Sequence, residues 1–71
     1  MTYVVAAASG KTVNLRSTPN GAIIKAVPLG ATASMLTYDE NWSYIEVDGT
    51  KGYMMTKYLI APDSIVSKDD L

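Results

Sequence analysis

A chain of 71 residues makes one small domain, and a domain of that size buries about 60% of the surface its unfolded chain exposes, which leaves little core to enclose a deep catalytic cleft. Cysteine and histidine are both absent, so disulfide staples and thiolate metal sites are excluded, along with the side chain most used as a neutral-pH acid or base and as a zinc ligand. Six basic against seven acidic residues give a net charge of −1, and no like-charge cluster exceeds Asp69-Asp70, so the electrostatic footprint of a nucleic-acid binder is missing.

In chain order, short runs alternate with turn chemistry, the layout of a small all-β barrel or sandwich. Residues 3–8 open the chain as a strand whose three alanines also suit helix, but Ser9-Gly10 stops the run well short of the roughly twelve residues an isolated helix needs. The same run is too short, and lacks the basic leader, for a signal peptide, so a secreted parent would carry its export signal outside this chain. No run reaches the roughly 20 apolar residues of a membrane span, so no membrane partner is expected. Thr12–Arg16 alternates, with Val13 and Leu15 on one face and Asn14 and Arg16 projecting from the other.

Pro19-Asn20-Gly21 is a turn, because proline presets its own φ and the Asn-Gly pair tolerates positive φ. Residues 22–27 re-enter as a strand or extended loop, and Pro28-Leu29-Gly30 breaks it. In residues 32–38, Ala33 and Met35 share one face and Leu36 and Tyr38 the other. After a turn at Asp39-Glu40-Asn41, Trp42–Val47 sends Ile45 and Val47 to the core and Trp42, Tyr44 and Glu46 to the opposite face. Asp48-Gly49 then joins this strand to residues 51–55, the clearest hairpin signal in the chain. A tight turn at Thr56-Lys57-Tyr58 leads to a last short strand at residues 59–61. Residues 1–61 form the domain, and residues 62–71, beginning at Pro62, form a tail or linker.

An opening Val13-Asn14-Leu15-Arg16-Ser17, a Pro28-Leu29-Gly30 turn, a lone Trp42 opening a strand, and a closing Gly52-Tyr53 followed by Tyr58-Leu59 occur in an order that resembles a bacterial SH3 domain. The match covers about residues 12–59. The opening and the ending are most similar to the modules of clostridial or phage-type wall hydrolases. The resemblance implies an SH3-like barrel of five to six short antiparallel strands with a short 3-10 turn near the C-terminus. It also implies a noncatalytic, extracellular, cell-wall-associated module that targets a linked catalytic domain, with the stem or cross-bridge peptide of peptidoglycan as ligand. The closing segment also looks like the ending of eukaryotic SH3 domains, with Tyr53 and Tyr58 in register and Met55 where those domains carry a groove proline, a departure that argues against polyproline recognition.

Tyr38, Trp42, Tyr53 and Tyr58 supply most of the large aromatic area, and rigid amphipathic rings suit a peptide groove. With no phenylalanine in the chain some rings must instead fill the core, Tyr53 first among them, which leaves Trp42 and Tyr58 as the leading ligand contacts. Asn14 and Arg16 point outward, either to bind a peptide backbone or carboxylate, or to cap a turn and to pair with Asp39, Glu40 or Asp48. Asp39 and Glu40 are adjacent loop acids, read as simply solvated by water and not as a pair flanking a sugar-sized cleft. Met35, Met54 and Met55 read as core filler or an adaptable apolar surface. No serine has a histidine base. No catalytic residue, cofactor or metal ligand is expected. The alternatives are a module that binds another polypeptide, or its parent's own catalytic domain, through the same face, and a minimal enzyme.

Overall fold

The computed structural model describes residues 2–61. The expected tail, residues 62–71, lies outside them. The chain is all-β, with strands β1 (Thr2–Val5), β2 (Thr12–Arg16), β3 (Ile23–Pro28), β4 (Thr32–Thr37), β5 (Trp42–Val47), β6 (Thr50–Met55) and β7 (Leu59–Ile60). A single turn of 3-10 helix, Thr56–Tyr58, joins β6 to β7. The strands form one antiparallel sheet in the order β3-β2-β6-β5-β4-β1-β7. Its end strands do not pair, so the sheet is barrel-like without being closed. The strand count rises to seven because Leu59–Ile60, two residues long, pairs with β1 as a strand of its own.

The core is built as the alternation dictates. Val5, Val13, Leu15, Val27, Ala33, Ile45, Val47, Met54 and Leu59 are buried together, so every strand contributes to one cluster and the sheet must wrap around it. Two bulges help it bend. Leu15 pairs with Lys25 but Arg16 with Ile23, and Met35 pairs with Ile45 but Thr37 with Tyr44, so Ile24 and Leu36 are the extra residues. Both are displaced from the core, at 43% and 44% exposure.

Turn chemistry sets the register. Asp48 (φ 51°) and Gly49 (φ 83°) are both left-handed between the paired residues Val47 and Thr50, as a two-residue type I′ hairpin requires. Strand β1 is shorter than residues 3–8 because its ladders end at Val4↔Thr32 and Val5↔Leu59. Beyond that point alanine, a weak strand former, has no partner strand, and the chain leaves the sheet with the Ala6 amide donating to the Tyr58 carbonyl (2.8 Å).

Gly52 opens the closing motif for a packing reason. It is buried where β2 crosses β6, and a Cβ there would stand 2.8 Å from the Arg16 carbonyl oxygen, 2.9 Å from Leu15 Cγ and 3.0 Å from Ile24 Cδ1. The two strands meet at a single pair, Arg16↔Tyr53, and this close crossing needs a residue without a side chain.

Candidate functional site

The crossing of β2 and β6 creates the site. Past Arg16↔Tyr53 the two strands splay, and no residue of 12–15 pairs with β6. A groove of about 600 Å³ opens in the gap, within the range of sites that hold a small ligand. Asn14 and Arg16, outward on β2, form one wall. Trp42 and Met55, direct cross-strand partners, form the other. Tyr58 and Lys57, from the 3-10 turn, close one end, and Ala7, Ala8 and Ser9 border the groove where the chain has left β1.

Four of the six expected ligand residues, Asn14, Arg16, Trp42 and Tyr58, therefore converge. Tyr38 does not join them. It is 60% exposed and lines a separate, shallower depression with Tyr3, Glu40 and Leu59. Tyr53 also lies outside the groove lining, and it is not the core ring expected of it. Its neighbours Gly52 and Met54 are buried, so alternation turns Tyr53 outward, half-buried, against Tyr44 with ring centroids 4.9 Å apart at 44°. Tyr3 and Tyr58 are the tyrosines that pack on the core.

Trp42 is held in place by a hydrogen-bonded corner. The Asp39 carboxylate (Oδ2) accepts from the amides of Asn41 (3.0 Å) and Trp42 (3.2 Å), and these bonds hold its pKa below the ordinary value of 3.8. The Thr56 amide donates to the Asn41 carbonyl (3.0 Å), tying the same loop to the 3-10 turn. Ser43, fully buried, lies 2.6 Å through Oγ from Thr56 Oγ1 and 3.1 Å from the Asp39 carbonyl, and accepts from the Asp39 amide (3.3 Å). Thr56 Oγ1 also donates to the Asp39 carbonyl. Two hydroxyls and the Asp39 amide and carbonyl thus satisfy each other, and this network anchors both Trp42 and the turn that carries Tyr58. Asp39 is therefore a structural cap and not a merely solvated acid.

No family model matches the chain, and no curated protein does either.

Charge on the groove differs from charge on the chain. Its lining holds two cations, Arg16 and Lys57, and neither aspartate nor glutamate. Arg16 does not take an acid partner from those expected; its Nη1 donates to the Gly21 carbonyl (2.7 Å), which fixes the guanidinium and leaves its other donors. Lys57 Nζ sits 5.2 Å from the Tyr58 ring centroid, within cation–π range. Among the described residues the Asn14 side chain has no hydrogen bond that would identify it as a turn cap. Among the described residues no group of three or more histidine, cysteine, aspartate or glutamate side chains could hold a metal ion.

Met55, read from sequence as core filler or an adaptable apolar surface, takes the second role, since it shares the outward face with Tyr53. Two further contributors are absent from the expected site residues. Ser43 was readable, because the parity that buries Ile45 and Val47 buries Ser43, and a buried hydroxyl demands a partner. Lys57 was not, because strand alternation does not extend into a 3-10 turn.

Proposed function

We propose that this chain is a noncatalytic binding module that grips an extended peptide in the groove between β2 and β6, and that its ligand is the stem or cross-bridge peptide of peptidoglycan. The observation that carries the reading is the convergence of Asn14, Arg16, Trp42 and Tyr58 on one groove. Outward-facing polar residues and amphipathic rings thus share a surface of ligand size. The all-β, SH3-like architecture and the resemblance of the opening and closing motifs to bacterial SH3 domains supply the choice of ligand. In this reading the module belongs to a larger secreted or phage-type wall hydrolase and works at the cell wall, raising the local concentration of the linked catalytic domain on its substrate.

Peptide is favoured over glycan by the open edge of β2. An extended peptide can add backbone hydrogen bonds along residues 12–15, where the sheet leaves that edge without a partner, while Trp42 and Tyr58 cover its side chains. Co-sedimentation with purified peptidoglycan tests this. The chain should pellet with intact wall and lose most of that binding after an amidase has stripped the stem peptides from the glycan. Failure to pellet, together with capture of a co-expressed catalytic domain, would replace the wall with a protein partner.

A further inference from the structure

We propose that the groove takes its peptide by a carboxylate end, with Arg16 as the contact that reads the charge and Lys57 as a second positive charge on the same lining. The inference rests on the peptide reading above and adds to it a chemical selectivity. Arg16 and Lys57 are cationic and face a groove whose lining, among the described residues, includes no acid. Such a local excess of positive charge attracts an anion. Both groups are steadied by contacts that keep their charge available: the Arg16 guanidinium by the Gly21 carbonyl (2.7 Å), and the Lys57 ammonium by the face of Tyr58 (5.2 Å to the centroid). A guanidinium held in this way presents its remaining donors as a fork, the geometry that matches a carboxylate.

The rest of the lining limits the anion to one small charge. Val13, Trp42, Met55, Tyr58, Ala7 and Ala8 are apolar or amphipathic, and two cations amid such surface suit a short apolar peptide with one terminal charge better than a polyphosphate. The unpaired edge of β2 offers the peptide backbone bonds along residues 12–15, and Arg16 stands at the end of that edge.

The full chain is titrated with N-acetyl-tetraalanine carrying a free carboxylate, with the same peptide as its C-terminal amide, and with glycerol phosphate, following Trp42 emission and backbone amide shifts. The carboxylate form should bind about tenfold more tightly than the amide, since charge-assisted bonds are about twice as strong as neutral ones. Lys57 is exposed in its turn, so Lys57→Gln should leave the melting temperature unchanged and reduce the preference about threefold. Arg16→Lys, which keeps the charge and removes the fork, should reduce it as well. Equal binding of acid and amide, no response to either up to about 10 mM, or tighter binding of glycerol phosphate would each overturn the proposal. Wall binding without carboxylate preference removes this inference and leaves the module reading. Carboxylate preference without wall binding keeps the inference and moves the ligand's source elsewhere.

Discussion

Replacing Gly52 with alanine tests the crossing on which the groove depends. The added Cβ would meet the Arg16 carbonyl oxygen at 2.8 Å, Leu15 Cγ at 2.9 Å and Ile24 Cδ1 at 3.0 Å, where ordinary contact begins at 3.4 Å. The flexible end of Ile24 can turn away, but the Arg16 carbonyl is main chain and Leu15 is fully buried. Strand β2 must therefore move off β6 at their one paired position. Overpacking of this kind costs about 1–3 kcal/mol. The reduced freedom of the unfolded chain returns about 0.4–1 kcal/mol. A net loss of about 1–2 kcal/mol corresponds to a fall of roughly 5–15 °C in melting temperature for a domain of this size. Thermal unfolding followed by far-ultraviolet circular dichroism measures it, and the displaced β2 should also weaken peptide binding. A melting temperature equal to or above that of the parent chain would show that the crossing has slack and that Gly52 is not there for close approach.

Gly49→Val should destabilise by about 1–3 kcal/mol, because φ of 83° is strained for a β-branched residue; a neutral result in chemical denaturation would mean that the hairpin can adopt another turn. Asp39 gives a pH dependence of definite sign. Its folded-state pKa lies below 3.8, so its contribution is complete above that value and is lost as pH falls through the lowered one. Asp39→Asn keeps an oxygen acceptor and abolishes the titration, so the gap in melting temperature between parent and variant should shrink on acidification to about pH 2. A gap that stays constant across the range would show that the bonds to Asn41 and Trp42 do not depend on the charge.

Much of the fold was legible because local signals agreed. Alternation in Thr12–Arg16 and Trp42–Val47 correctly chose the buried faces, and the Asp48-Gly49 and Pro28-Leu29-Gly30 turns fell where left-handed backbone occurs. The end of β1 was not legible, since Val5 stops the strand through the end of its ladders and not through any signal in the alanines that follow. Bulges at Ile24 and Leu36 were equally hidden, because an extra residue is set by the bending of the whole sheet. Of the candidate site, Asn14, Arg16, Trp42 and Tyr58 were readable as outward or strand-opening residues. The groove itself was not, because it arises from two strands, far apart in sequence, that meet at one pair and then diverge. Tyr38 and Tyr53 lie outside the groove for different reasons: Tyr38 follows the bulge at Leu36, and strand alternation turns Tyr53 outward onto Tyr44.

Trp42→Ala tests the central claim most directly, with wall co-sedimentation and thermal unfolding measured on the same protein. Trp42 is half-buried on the outward face and lines the groove opposite Asn14, so its loss should weaken wall binding by about 2–4 kcal/mol. The accompanying loss of stability should stay below the roughly 3–5 kcal/mol of a core aromatic truncation. A variant that loses stability on that core scale yet, while still folded at low temperature, binds wall as well as the parent would make Trp42 a structural residue and contradict the assignment of the groove between β2 and β6 as the binding site.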